Sequence, residues 1–189
     1  MIVLTYQRIR RKQLLREAEG YLDLATVFAD RWPLSSGLRD GLATRALDTL
    51  GQLNSVAGCR AMVLYLRGQA LRIMERHREA IAALERSAEL DPSNIHIWLA
   101  LGWCFKRVGR LDLAIQSLEE ALSIDAKQAI VYYNLACYWS LANNAQHALD
   151  YLTRAFQIEP AYRDMVAKEH DFDPIREHPG FQALTAVIV

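Results

Sequence analysis

A spacing of 34 residues organises the middle of this chain. Trp98, Leu101, Gly102, Phe105, Gly109, Ala114, Ile115, Leu118, Ala121, Leu122 and Ile124 form one set. The positions 34 higher hold Tyr132, Leu135, Ala136, Trp139, Asn143, Ala148, Leu149, Leu152, Ala155, Phe156 and Ile158. The positions 34 lower hold Leu64, Arg67, Gly68, Leu71, Glu75, Ala80, Ile81, Leu84, Ser87, Ala88 and Leu90. Pro92 and Pro160 stand at equivalent ends, with Ala126 between them. Three units, 61–94, 95–128 and 129–162, therefore follow one another without insertion. A unit of this length is one supersecondary motif. It cannot bury its apolar face alone, so neighbours must stack to make a continuous core.

The motif is helical. Nine glycines and five prolines are few for 189 residues, strong helix formers dominate, and period-two alternation is missing. Helices are predicted over 7–29, 37–54, 60–74, 77–89, 94–107, 111–123, 128–141 and 145–157. Shorter ones follow near 161–168, from about 174, and over 180–187. The breaks contain Gly, Pro, Asn or Asp where turns need them. Links this short force consecutive helices to run antiparallel. Gly68, Gly102 and Ala136 fall where the two helices of a unit approach, facing Ala80, Ala114 and Ala148. The prolines close the second helices, since they supply no donor and do not fit a helix interior.

Charge and composition remove several classes. With 52% apolar and 23% charged residues, disorder is not expected. Lys plus Arg and Asp plus Glu both number 22, a formal charge of +0, so no nucleic-acid partner is expected. Arg8, Arg10, Arg11, Lys12 and Arg16 form a basic run, but Glu17, Glu19 and Asp23 follow at once; the mixture reads as a solvated helix face. No apolar run is long enough for an integral membrane segment. The opening MIVLTYQRIRRKQ has the wrong order and length for a secretory signal. Cys59, Cys104 and Cys137 form no CxxC and read as buried small residues in a reducing compartment, with the cytoplasm as the expected location.

The pattern Trp98-x2-Leu101-Gly102-x2-Phe105, with Ala114-x3-Leu118-x2-Ala121, resembles the tetratricopeptide repeat. The resemblance implies an all-α, right-handed superhelical solenoid of antiparallel helix hairpins. Three departures stand out: Arg67 for the usual large apolar residue, Ser87 for the usual alanine, and Ala126 for the usual proline. Upstream, Ala46, Leu47, Leu50 and Leu53 repeat the second-helix pattern, whereas Asp30, Pro33 and Leu34 fall at first-helix positions and break it. Residues 1–60 are therefore expected to form a divergent hairpin cap, 61–162 the three repeats, and 163–189 C-terminal capping helices. The tail carries Asp171-Phe172-Asp173-Pro174, Arg176 and Pro179-x-Phe181, and resembles the ending of many bacterial tetratricopeptide proteins. Asp173 is expected to cap a helix that starts at Pro174. Phe172, Ile175, Phe181 and Leu184 would cover the open face of the third repeat. The terminal TAVIV has two readings: it tucks back onto the array or contacts a second subunit.

In the resemblance, first helices line the concave side. Its groove-facing positions include Tyr65, Gln69 and Arg72, then Leu99, Trp103, Lys106 and Arg107, then Tyr133 and Asn134. Aromatic anchors with polar neighbours suit an extended or helical peptide, so the expected partner is another protein or peptide. Two alternatives stay open: cover by the long N-terminal helix, and contact between subunits of a homo-oligomer. Chaperone-binding members of the family hold a C-terminal carboxylate with a Lys–Asn–Asn–Lys–Arg set; those places hold Tyr65, Gln69, Ala100, Ile130 and Asn134 here, so that clamp is missing. No GxSxG, HExxH, GxGxxG or GxxxxGK[ST] occurs. Glu169, His170, Asp171, Asp173, Glu177 and His178 cluster in the tail without tetrahedral metal spacing. No catalytic, cofactor-binding or metal-binding residue is expected, and the chain reads as a non-catalytic scaffold.

Overall fold

The computed structural model describes residues 2–26, 34–53 and 60–186. Among the described residues there is no strand. Eight principal helices run in chain order: α1 (Ile2–Thr26), α2 (Ser36–Gly51), α3 (Arg60–Ile73), α4 (His77–Leu90), α5 (Ile95–Arg107), α6 (Leu111–Ile124), α7 (Ala129–Leu141) and α8 (Ala145–Ile158). The tail adds a 3-10 turn (Pro160–Tyr162), α9 (Arg163–Val166), a second 3-10 helix (His170–Ile175) and α10 (Pro179–Thr185). The six helices of the repeat stretch end within one residue of their predicted bounds. Helix α1 begins earlier than predicted, at Ile2. Its predicted last residues, 27–29, lie outside the described residues, as do Asp30, Pro33, Cys59 and the final three residues of TAVIV.

The architecture is all-α and built from helix hairpins, a tetratricopeptide-like solenoid fold. The chain gathers into two compact units, Met1–Ala100 and Leu101–Val189.

The 34-residue period is written into the backbone. Glu75, Gly109 and Asn143 all have positive φ, at 59°, 78° and 57°. Each lies in the turn inside a hairpin. Each turn closes with the same long bond: Arg76 N to Leu71 O, Arg110 N to Phe105 O and Asn144 N to Trp139 O, all 2.9 Å. Together with the bonds that Glu75 N, Gly109 N and Asn143 N make three residues back, this is the Schellman ending, which satisfies otherwise orphaned carbonyls of the first helix.

Packing repeats with the same period. Ala80, Ala114 and Ala148 are fully buried, and so are Leu84, Leu118 and Leu152. Each of those leucines contributes about 1.5–3 kcal/mol by leaving water. A Cβ placed on Gly68 would lie 2.5 Å from Leu84 Cγ, and one on Gly102 would lie 3.1 Å from Leu118 Cδ2. The small residue is required by close helix approach, as the sequence suggested. Ser87 has a reason of its own: its buried hydroxyl donates to the Ala61 carbonyl at 2.8 Å, tying α4 to the start of α3. In the first unit, Ala18, Leu22 and Ala25 of α1 join Ala43, Ala46 and Leu50 of α2 and Val63, Leu66, Ala70 and Ile73 of α3 in one core. Ser35 caps α2 through its hydroxyl, which accepts from Leu38 N.

The tail corrects one expectation. Asp173 does not cap a helix starting at Pro174. Pro174 lies inside the second 3-10 helix, whose cap is Glu169, accepting from Asp171 N at 3.1 Å. The Asp173 carboxylate instead accepts from Arg176 at 3.0 and 2.8 Å and faces His170 Nδ1 at 3.2 Å. The side chain satisfies a nearby guanidinium fork, which holds a carboxylate more tightly than a single backbone donor does.

Candidate protein-binding site

In the first unit, Tyr65, Gln69 and Arg72 recur at helical spacing on α3 and share one face. All three are half-buried. Arg72 Nε donates to Gln69 Oε1 at 2.9 Å. Burial pushes the Tyr65 phenol pKa up, while a hydrogen bond with Gln69 and the Arg72 cation pull the other way. Tyr65 packs against the core that α1 completes, alongside Leu14, Leu15 and Tyr21. The face is thus partly covered by the N-terminal helix. Leu99 on α5 is also half-buried.

In the second unit, Trp103 is half-buried and Arg107 is exposed, with the guanidinium carbon 5.7 Å from the indole centroid. Asn134 on α7 is half-buried, and its amide makes no hydrogen bond with the described residues. An amide in that state can take both a donor and an acceptor from a peptide backbone.

Tyr133 and Lys106 stand differently. Tyr133 is only 3% exposed. Its ring stacks on Tyr162 with centroids 4.8 Å apart and meets Phe172 edge-on at 5.6 Å. Phe172 also packs 5.4 Å from Phe181. The Lys106 ammonium is ion-paired with Asp171 and lies 5.8 Å from the Tyr138 ring centroid. The second 3-10 helix therefore lies against α7, with its own Phe172 and Ile175 and with Phe181 of α10 buried. Burial drives the Tyr133 phenol pKa up, with further rises from Cys137, Glu169 and Asp171. It drives the Cys137 thiol up as well, against a nucleophilic role. The Tyr133 hydroxyl is buried without a hydrogen-bond partner among the described residues.

Tyr162 and Asp171 were missed as partners of Tyr133 and Lys106. Lys106 and Asp171 are 65 residues apart, beyond any local pattern; the only sequence signal was the aromatic and acidic run of the tail. Among the described residues, no three His, Cys, Asp or Glu side chains converge in a way that could hold a metal ion. None of the described helices is long and apolar enough to cross a membrane.

Paired helices, a 34-residue period and repeated Schellman turns define a helical-hairpin repeat protein. Residues 59–127 match the tetratricopeptide repeat family model, so the chain contains tetratricopeptide repeats over that stretch. Tetratricopeptide repeat protein 7A of Homo sapiens is 33% identical over 86 residues, 46% of this chain and 10% of that protein. Anaphase-promoting complex subunit 3 of Dictyostelium discoideum is 36% identical over 55 residues, 29% of this chain and 6% of that protein. The chain thus spans a tenth or less of the curated relatives it matches. Among solved structures, MamA superposes with a TM-score of 0.60 at 22% identity, covering 86% of this chain and 89% of that one. YrrB, described as a TPR protein with an unusual peptide-binding site, gives 0.61 at 21% identity, covering 83% and 84%. Likeness at these identities establishes the fold. Proteins of this fold generally act as protein–protein interaction modules.

Proposed function

We propose that this chain is a non-catalytic module that holds a peptide segment of a partner protein against the first helices of its repeats. The observation that carries this reading is the set of half-buried anchors left on those helices: Trp103 with Arg107 beside it, and the unengaged amide of Asn134. An indole supplies a large contact area at little entropic cost, and the amide fixes the direction of a peptide backbone. Tyr65, Gln69 and Arg72 offer a similar mixture on α3, and Leu99 adds an apolar position on α5. Lys106 and Tyr133, held by the tail, support the surface rather than touch the partner. The peptide-binding site for which YrrB is described fits the same use of the fold.

The test is co-purification from the native cell with the wild-type chain and a Trp103→Ala, Asn134→Ala variant. Partners recovered by the first and lost by the second are expected. Equal recovery, with helical content unchanged, overturns the assignment.

Self-association is a second reading. It rests on Tyr6 and Ile9 of α1, which are 63% and 61% exposed, large for apolar side chains without a cover. Light scattering across micromolar concentrations would show dimer for the native chain and monomer for Tyr6→Ser, Ile9→Ser; monomer for both removes the reading.

A further inference from the structure

We propose that the cavity between α2, α3 and α4 is a second docking site, and that it takes an acidic amphipathic segment of a partner protein. The cavity holds about 480 Å³ and is open to solvent, within the range of ligand-sized sites (~300–1,000 Å³). Leu47, Leu64 and Leu71 form its apolar floor, and Arg67, Arg76 and Arg86 stand around it. The single carboxylate among the described lining residues, Glu79, is used: Arg76 grips it with two hydrogen bonds of 2.8 and 2.6 Å. Arg67 and Arg86 make no hydrogen bond or ion pair with any described residue. Two guanidinium groups therefore overlook an apolar floor with no anion to meet among the described residues.

Arg67 departs from its column of the repeat. The same place in the next two units holds Leu101 and Leu135, both buried. Packing would accept a leucine, yet a half-buried cation occupies the position. A guanidinium fork matches a carboxylate in two parallel hydrogen bonds. Carboxylates one helical turn apart on a peptide would reach both arginines, and an apolar residue between them would enter the floor. Leu64, Arg67 and Leu71 lie about 130° around α3 from Tyr65, Gln69 and Arg72, by the 3.6-residue turn. The site is thus separate from the first-helix face proposed above, and either assignment can fail without the other.

The experiment is selection of a random-peptide display library on the full chain, followed by fluorescence anisotropy with the selected peptides. Peptides with Asp or Glu beside Leu or Phe are expected. Their affinity should fall about tenfold for R86Q and further for R67Q/R86Q, be unchanged for R72Q, and weaken with added salt. Arg86 is exposed, so R86Q preserves folding even where the double variant does not. Recovery of no peptide, recovery of neutral peptides, undiminished binding to R86Q, or loss of binding to R72Q overturns the proposal.

Discussion

Gly68 and Gly102 hold the same place in successive units, but the space around them differs. A methyl group on Gly68 would lie 2.5 and 2.7 Å from Leu84 Cγ and Cδ2. Leu84 is fully buried, and a branch carbon cannot swing aside as a side-chain tip can. Overpacking of this kind costs about 1–3 kcal/mol, against a gain of about 1 kcal/mol from replacing a helical glycine. Gly68→Ala should therefore lower thermal stability, by up to about 2 kcal/mol. At Gly102 the nearest atoms are 3.1–3.3 Å away, and Gly102→Ala should sit near neutral. Thermal unfolding of both variants gives the order; Gly102→Ala falling further than Gly68→Ala would refute it. Gly109 tests backbone alone. Nothing lies within 4 Å of the place its Cβ would take, but its φ is 78°, so Gly109→Ala should cost about 1–2 kcal/mol through left-handed strain. Urea unfolding checks this, and an unchanged midpoint would show that the turn relaxes.

The tail behaves as one element because its aromatic residues share a core with α7. Phe172 is fully buried between Tyr133 and Phe181, so Phe172→Ala should cost about 3–5 kcal/mol of local packing. Undocking would uncover Cys137, now 2% exposed. The expected result is slow thiol labelling of Cys137 in the native chain and much faster labelling in Phe172→Ala, read by peptide mapping; equal rates would mean that the tail does not guard this face. The contrast between tail and repeats shows what a sequence discloses. Helix ends from Arg60 to Ile158 were legible because three copies of one turn average out local ambiguity. Leu84, Leu118 and Leu152 announce themselves by recurring. Asp173-Pro174 occurs once, and a cap and a salt-bridge partner look alike there. Tyr133 was legible as a first-helix aromatic, but its contact with Tyr162 and Phe172 depends on the path of a chain with no repeat to guide it. Trp103 and Asn134 were named because the tetratricopeptide resemblance implies that their places face the groove. Arg67 was visible only as a departure, and its meaning came from the cavity it lines.

Over the whole molecule, buried phenols set the response to alkali. Tyr65 in the first unit, and Tyr133, Tyr138, Tyr151 and Tyr162 in the second, all have pKa values raised chiefly by burial. An unfolded tyrosine ionises near pH 10. The folded chain keeps protons that the unfolded chain releases, so stability is complete below that pH and declines as pH climbs toward the higher native values. Each proton withheld steepens the loss by about 1.4 kcal/mol per pH unit. Tyr133 and Tyr138, each 3% exposed, should dominate with a combined slope of about 2.7 kcal/mol per pH unit, while the less buried Tyr151 and Tyr162 add less. The expected observation is a cooperative transition above pH ~10 in which tyrosinate absorbance and loss of helical circular dichroism coincide. Tyr133→Phe also removes a buried hydroxyl that has no hydrogen-bond partner among the described residues, so it should leave stability at neutral pH unchanged or raised while flattening the alkaline slope. Titration of every tyrosine near pH 10 with the helices intact would show that these rings reach solvent without unfolding, and that the tail opens freely over α7.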